Sequence, residues 1–567
     1  MASGGLINDL VEHRDLLGLA GVVAAAVGGV FLARTERFVP RADLDPPAPP
    51  RRFAPWLLAA AVFCVAALFG VLRPPLASVC DEFSYLLAAD TFASGRLTNP
   101  TPPSPEHFES FQIVVEPTYA SKYPPAQGAV LAVGQVVFGH PIAGVWLSAG
   151  AFAAACLWAL RALLPFGWAF GWTLLAVLRF ASTGYWAQSY WGGLVAATGG
   201  ALVVGAALRL ARGVRVSHGA WLGLGTALLA LSRPFEGLVL CIGAYGLLLA
   251  AWLRERPRGW STAGFARAGG VWLAIVVALG LFIAHYNRAV TGDPFTLPYE
   301  LHEAQYAAAP NFIVQDPIER PVYRHAEHER FWAGWTLWLY EERHEQGVLA
   351  TLPDKLDFYG AYYVGWTWLP FLLLGLFVRR TGRARWLVPL GLAALAVETF
   401  DGRHYAAPFT IAVVLVCACG ATSWCRAPSA ARRAGGVLAL LAAALVTLVQ
   451  AGIEAASWRA GWPQRRNALV AELEARPGRD VVFVRTDLEG LTARERWDWI
   501  NLDWVFNGAD PTEQEVVFAR DLGPERNAEL LAELGERRGW TLLLPAAMSF
   551  ERIVDALEPV DAAARPR

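Results

Sequence analysis

The chain has 567 residues, of which 55% are hydrophobic and only 17% are charged, and its formal net charge is −1. Since soluble domains carry about 25% charged residues, this composition and the mean hydropathy of +0.35 indicate a membrane protein. The near-neutral charge, without a basic face, excludes nucleic acid as a partner. The seven cysteines follow neither a disulfide framework nor a zinc-ligand spacing.

Apolar runs along the chain predict about twelve transmembrane helices, because about 20 apolar residues cross the hydrocarbon core of a bilayer. We place them at about residues 16–33, 53–72, 141–160, 168–184, 189–208, 217–231, 234–252, 268–286, 358–378, 385–400, 404–424 and 434–456. The first run is preceded by an acidic stretch (Asp9, Glu12 and Asp15) rather than a basic one, and no small-residue cleavage site stands out, so it is interpreted as a retained helix. The predicted fold class is therefore an all-α polytopic membrane protein.

Arginines fall in five clusters that all lie on one side of this twelve-helix arrangement. They are Arg34, Arg37, Arg41, Arg51 and Arg52, then Arg209, Arg212 and Arg215, then Arg254, Arg256, Arg258 and Arg267, then Arg379, Arg380, Arg383 and Arg385, and finally Arg426, Arg432 and Arg433. Since basic residues near helix ends are retained in the cytoplasm, both termini are predicted to lie outside.

This topology divides the chain into three parts. Residues 1–52 hold an extra N-terminal helix and a proline-rich cytoplasmic connector, 53–456 form the membrane domain, and 457–567 form an external tail. The membrane domain carries two external loops, at about 73–140 and 287–357, which we term the first and second loops. In the tail, "NALVAELEARPG" and "NAELLAELGERRG" are typical of helices, and "DVVFVR", "EVVFAR" and "WTLLLP" are typical of strands. We therefore predict a small C-terminal α/β domain.

The stretch "SVCDEFSYLLAAD" places two adjacent carboxylates, Asp81 and Glu82, near the start of the first loop. One interpretation is local: Ser78 caps a helix, the acids meet the positive end of the helix dipole, and Gly95 ends the helix. The other is catalytic, since two close carboxylates repel each other and raise one pKa toward the working range. The stretch alone leaves both interpretations open.

Four short motifs follow in order on the predicted external side: "DE" at 81–82, "KYPP" at 122–125, "LSRPFEG" at 231–237 and "RHYAAP" at 403–408. In this order, over about residues 53–424, the chain resembles the GT-C glycosyltransferases, which include protein O-mannosyltransferases and bacterial aminoarabinose transferases of lipid A. The resemblance implies transfer of a sugar from a polyprenyl-phosphate donor to a hydroxyl of a lipid, glycan or protein acceptor. It also implies a bacterial inner membrane protein whose site faces the periplasm.

The resemblance and the chemistry of transfer assign roles to these motifs. Asp81 is expected to be the general base, with Glu82 as its orienting or metal-binding partner. The donor phosphate and lipid are expected to meet Lys122, Tyr123, Arg233, Arg403, His404 and Tyr405. The sugar or acceptor is expected to meet Tyr190, Trp191, Tyr299 and Tyr306.

Each assignment has a structural alternative. Lys122, one of two lysines in the chain, would also suit an interfacial residue that snorkels to the membrane surface. Arg233 would also suit an internal ion pair with Glu236. The aromatic side chains of "SYWGG" (189–193) would also suit an aromatic belt at the membrane interface.

Metal binding is left open by the sequence. His325 and His328, three residues apart in the second loop, and Glu82 have side chains that ligate divalent ions. A solvated charged helix is the alternative for the two histidines, and the chain lacks a clear Asp-x-Asp motif. No cofactor is therefore assigned, and a divalent ion remains a candidate because GT-C enzymes differ in metal dependence.

Two other classes of protein fit the same membrane composition. An O-antigen polymerase or ligase would use a lipid-linked oligosaccharide and arginines in a late loop, for which Arg320 and Arg324 are candidates. A lipid or polysaccharide flippase would show ionisable residues at the midplane and an inverted repeat, whereas the acids here gather at one face.

The arginine clusters generate a topological prediction. Single cysteines introduced at Ser104, Gln315 and Glu513, one in each large polar segment, should all react with a membrane-impermeant thiol reagent added from outside. Labelling from the cytoplasm at any of the three positions would contradict a shared external side.

Overall fold

The computed structural model describes residues 14–35, 53–254, 261–456, 461–487, 489 and 503–560. The predicted connector at 43–52 lies outside the described residues, as do Arg37, Arg41, Arg51, Arg52, Arg256 and Arg258. Most of the described chain is helical.

Seven helices in the described part of the chain are long and apolar enough to cross a membrane. They are Ala54–Leu72, Ile142–Leu160, Gly193–Leu210, Pro234–Arg254, Thr262–Thr291, Ala407–Cys425 and Ala430–Ala456. Each coincides with a predicted span. The chain is therefore a multi-pass membrane protein by the length and composition of its helices.

Four other predicted spans coincide with helices of more limited apolar length. Phe166–Phe180 and Val216–Ala230 have 15 residues each, Leu387–Ala396 has ten, and the helix Arg14–Arg34 is apolar over Ala20–Arg34. A hydropathy window merges such a helix with the apolar turns beside it. Within the described residues, length and composition alone therefore support seven full spans, or eight with the bent pair described next, against the predicted count of about twelve.

The span predicted at 358–378 is not one straight helix. The helices Val348–Tyr363 and Gly365–Phe377 meet at an angle of 99°, and the backbone of Gly365 has a φ of 57°. This left-handed conformation costs little for glycine alone. Hydropathy averages over such a break, which is why the sequence predicted a single span.

Small residues let the helices of the bundle approach closely. A Cβ added to Gly375 would lie 2.0 Å from the carbonyl oxygen of Val416, and one added to Gly200 would lie 2.0 Å from that of Pro408. Close backbone contact of this kind is a usual source of helix association in lipid, where the hydrophobic effect between helices is absent.

The two loops are largely folded. Their helices are Cys80–Ala93, Ala126–Phe138, Pro298–Tyr306, Ala326–Glu329 and Leu337–Gln346, with a short 3-10 helix at Pro105–Phe108 and a π-helical stretch at Arg330–Thr336. Two short antiparallel strands, Ile113–Val114 and Ala120–Ser121, pair within the first loop. They hold the segment that leads to Lys122.

The described part of the tail has the α/β character predicted from its sequence. The strand Arg479–Thr486 lies between Val516–Arg520 and Arg537–Leu544, parallel to both, and Glu558–Pro559 adds a short antiparallel edge. The helices are Trp462–Glu474 and Pro524–Glu533. One hydrophobic cluster joins Val481 and Phe483 of the sheet to Phe108 and Ile113 of the first loop, so the tail is packed against that loop.

Buried polar contacts join the tail to both loops. Asp503 accepts hydrogen bonds from the hydroxyl of Ser110, at 2.8 Å, and from the backbone N–H of Phe111, at 3.0 Å. Arg520 donates to the carbonyl oxygen of Glu109, at 2.6 Å, and its Nη2 lies 3.3 Å from Nε2 of His328 in the second loop. The three large polar segments therefore lie together at one end of the helix bundle.

Candidate active site

A cavity of about 420 Å³ lies where the two loops meet the ends of several helices. Seven of the residues predicted from the sequence line it: Asp81, Lys122, Tyr123, Arg233, Tyr299, His404 and Tyr405. They come from all four motifs and from the second loop. The cavity also has apolar walls, formed by residues such as Leu231, Phe235, Ile283 and Phe312.

Asp81 stands in the first turn of the helix Cys80–Ala93, where the helix dipole stabilises a negative charge. Its Oδ1 accepts a hydrogen bond from the hydroxyl of Tyr123. The predicted cap by the side chain of Ser78 is wrong, because the N-cap residue is Val79, with no side-chain cap. The carboxylate is therefore available to the cavity.

Glu82 does not line the cavity. Its Oε2 accepts from the backbone N–H of Ser78 and its Oε1 from that of Tyr190, each at 2.9 Å. Burial raises the pKa of Glu82 to about 7. The side chain therefore ties the start of the helix to the turn at 189–193.

Lys122 enters the cavity as half of an ion pair between the two loops. Its Nζ lies 2.8 Å from Oε1 of Glu303 and 4.5 Å from the centre of the Tyr299 ring, and its side chain is only 3% exposed. Burial opposes ionisation of Glu303, but the Lys122 ammonium prevails and lowers its pKa to about 2. Because the ammonium is buried, the snorkelling alternative does not describe this lysine.

Arg233 forms the internal ion pair that the sequence offered as an alternative. Its guanidinium donates to Oε1 of Glu236 and stacks over the Tyr405 ring at 3.9 Å. Both members of the pair line the cavity. Arg233 can therefore form the ion pair with Glu236 and line the cavity at the same time.

His404 is buried at the edge of the same cavity. Its Nδ1 lies 3.2 Å from the hydroxyl of Tyr185, and its ring lies 4.4 Å from that of Trp191. Burial, assisted by Arg233, holds the pKa of His404 well below its usual range. The ring is therefore neutral at pH 7.

Several predicted site residues lie outside the cavity. Tyr190, Trp191 and Arg403 do not line it, and the Arg403 guanidinium stacks 5.5 Å from the ring of Tyr362. Tyr306 faces a separate polar cleft of about 210 Å³ in the two loops. These four residues were predicted to contact the donor, sugar or acceptor, but they do not share the cavity with Asp81 and Lys122.

The two candidate histidines lie together, with their ring centres 5.7 Å apart, but Glu82 is not among their contacts. His325 Nε2 lies 3.2 Å from Glu109, His328 contacts Arg520, and Glu82 has the partners given above. No group of three or more His, Cys, Asp or Glu side chains in the described ranges has the spacing of a metal site. Both histidines are buried, so the solvated-helix alternative is also wrong.

Three acidic residues at the cavity were not predicted: Glu300 and Glu398 line it, and Glu303 contacts Lys122. Glu303 pairs with Lys122 across 181 positions of the chain, and no motif in "YELHEAQY" marks it. Glu398 lies five residues before the "RHYAAP" motif and lines the cavity. Its position just after an apolar run, at a predicted external helix end, was the available signal.

Comparisons with known proteins give structural similarities alone. No family model and no curated protein matches the chain. It is similar to the crystal structure of ArnT from Cupriavidus metallidurans bound to undecaprenyl phosphate, with 13% identity, a TM-score of 0.45 and coverage of 87% of this chain and 94% of that one.

The chain is also similar to archaeal oligosaccharyltransferase AglB from Archaeoglobus fulgidus in complex with an inhibitory peptide and a dolichol-phosphate, with 13% identity, a TM-score of 0.42 and coverage of 86% and 70%. For the oligosaccharyltransferase of that organism in the apo form, the identity is 10%, the TM-score is 0.41, and 80% of this chain spans 63% of that one. Substrate and site are inferred below from the residues of this chain.

The raised pKa of Glu82 predicts a pH dependence of stability. Because the folded state binds this proton more tightly than the unfolded state, the stabilisation is complete below about pH 4.5 and is lost as the pH rises to about 7. The loss is at most about 3 kcal/mol. Melting of the protein in detergent at pH 5 and pH 7.5 should show a larger decrease for wild type than for Glu82→Gln. Equal decreases would contradict the shifted pKa.

Proposed function

We propose that this protein is a GT-C-type glycosyltransferase that moves a sugar from a polyprenyl-phosphate donor to a hydroxyl acceptor at the external face of the membrane. One observation carries the proposal. A carboxylate, Asp81, and two cations, Lys122 and Arg233, line the same partly apolar cavity at the ends of the membrane helices. An amphipathic substrate with an anionic group suits such a cavity.

Asp81 is proposed as the general base. It takes the proton of the acceptor hydroxyl while the acceptor oxygen bonds to the anomeric carbon of the sugar. The bond from that carbon to the phosphate oxygen breaks, and the electron pair leaves with the polyprenyl phosphate. Tyr123, which donates to Asp81, holds the carboxylate in place until the acceptor arrives.

Lys122 and Arg233 are proposed to stabilise the negative charge that develops on the leaving phosphate. An ammonium has three N–H donors, and the hydrogen bond to Glu303 uses one of them. An arginine has five, and two nitrogens of Arg233 donate to Glu236. Both side chains therefore retain donors for a phosphate while their carboxylate partners stay in place.

The contacts of the second loop do not favour a polymerase or ligase that uses lipid-linked oligosaccharides. Arg320 pairs with Glu329, and Arg324 with Glu109. Neither arginine lines the cavity that holds Asp81. The monosaccharide donor is therefore the proposed one.

Replacement of Asp81 tests the base. Asp81→Asn keeps the size of the side chain but removes its basicity, so we expect transfer to fall by about a hundred-fold or more with normal expression. Release of polyprenyl phosphate from polyprenyl-phosphate monosaccharides, measured in nanodiscs, is the assay. Asp316→Asn, an exposed acid in the second loop, is the matched control. A folded Asp81→Asn protein with wild-type turnover would reject this role.

Replacement of Lys122 tests the phosphate contact. We expect Lys122→Ala to weaken donor binding or slow transfer by about ten- to a hundred-and-fifty-fold, because it removes a charge-assisted hydrogen bond. Lys122→Arg should keep partial activity. Steady-state kinetics at varied donor concentration measure both effects.

The design has one complication, because Lys122→Ala leaves the buried carboxylate of Glu303 without its cation. The double variant Lys122→Ala with Glu303→Gln removes both charges and restores neutrality. A kinetic defect that persists in the double variant supports a contact with the donor. Kinetic constants equal to those of wild type in both variants would remove Lys122 from the site.

A further inference from the structure

Glu398 is a buried acid that lines the cavity on a rigid piece of backbone. It follows the helix Leu387–Ala396, and its carbonyl oxygen accepts a 2.6 Å hydrogen bond from Nζ of Lys355. Its backbone also forms a bridge with Phe312 of the second loop. The residue is 5% exposed, and its Oε1 has no hydrogen-bond partner among the described residues. An unsatisfied buried oxygen at a cavity wall is a candidate contact for a ligand.

The cations near Glu398 are already paired with other carboxylates. Arg233, which directly precedes the helix Pro234–Arg254, forms an ion pair with Glu236. Lys355 belongs to the helix Val348–Tyr363, and its Nζ lies 2.8 Å from Oδ1 of Asp401. Tyr359 and Tyr405 also lie close enough to interact with the charge of Glu398, His404 lines the same cavity, and Arg343 pairs with Asp401.

An ionised Glu398 would therefore be an additional buried negative charge without a cation of its own. Burial, followed by the nearby carboxylate of Glu236, raises the pKa of Glu398 well above its usual range. A neutral carboxyl group carries one O–H donor. The same group can then donate to an anion that an ionised carboxylate would repel.

We propose that Glu398 is a donor-binding residue that acts as a neutral carboxylic acid and donates a hydrogen bond to a phosphate oxygen of the polyprenyl-phosphate substrate. This inference rests on the proposed function and adds a third contact beside Lys122 and Arg233. The charges of the cavity support it. The pairs Lys122–Glu303 and Arg233–Glu236 cancel, and the carboxyl groups of Asp81 and Glu300 also line the cavity, so a further ionised acid would disfavour an anionic ligand.

The inference predicts that phosphate binding is linked to the proton on Glu398. As the pH rises and Glu398 ionises, its hydrogen bond to the phosphate is replaced by repulsion, so affinity falls. Glu398→Gln keeps a neutral side chain with an N–H donor at every pH. Glu398→Ala is neutral as well but has no donor.

The experiment measures binding of undecaprenyl phosphate to the full chain in nanodiscs between pH 6.5 and 9.5. At pH 6.5 we expect Glu398→Gln to bind within about three-fold of wild type and Glu398→Ala to bind about ten-fold or more weakly. Toward pH 9.5 wild-type affinity should fall further than that of Glu398→Gln. Glu345→Gln, an exposed acid in the helix Leu337–Gln346, should follow wild type and show that loss of any nearby acid is insufficient.

Each contrary outcome overturns a defined claim. If wild type binds undecaprenyl phosphate and Glu398→Ala binds it equally well, the contact at Glu398 is wrong while the proposed function stands. Parallel pH profiles for wild type and Glu398→Gln reject the neutral acid. If wild type fails to bind undecaprenyl phosphate, the proposed function fails, and the role of Glu398 fails with it. Should Glu398→Ala not fold, the comparison of wild type with Glu398→Gln still decides.

Discussion

The pairing of buried charges between distant segments is the constraint on which the external half of this protein depends. The main pairs are Lys122 with Glu303 and Lys355 with Asp401. A buried charge that loses its partner costs about 3–5 kcal/mol, so each pair fixes one segment against another. The cavity lies where the first and second loops are joined in this way. Its shape therefore follows from electrostatics as much as from apolar packing.

Local patterns in the sequence were sufficient to predict most helices and strands, but not their exact lengths or the breaks within them. The continuous run of β-branched and aromatic residues in "DVVFVR" predicted a strand, and the structure has one at Arg479–Thr486. Apolar runs marked the helices, but a window cannot register the break at Gly365 or the shortness of Leu387–Ala396. The packing of the tail sheet on the first loop has no local signal, because it depends on contacts between residues hundreds of positions apart.

The site was predictable where residue type and order carried the information. Asp81, Lys122 and Tyr123, which share one cavity, were candidates because an acidic pair and a rare lysine stand out in an arginine-rich membrane protein and because their motifs resemble those of the GT-C glycosyltransferases. Glu303 and Glu398 were not, since their importance lies in which charges they meet after folding. His325 and His328 were misread for the same reason: a charged sequence suggested solvent, and the fold buried both rings.

The contact between Ser110 and Asp503 also has a consequence for biosynthesis. The two residues are 393 positions apart, which at about 5–20 residues per second corresponds to about 20–80 seconds of translation. During that interval the first loop has been synthesised, but Asp503, whose carboxylate accepts hydrogen bonds from the Ser110 hydroxyl and the Phe111 backbone N–H, has not. The nascent protein therefore completes the first loop only after Asp503 has been made, and a chain truncated before Asp503 remains unfinished at the loop that carries Asp81.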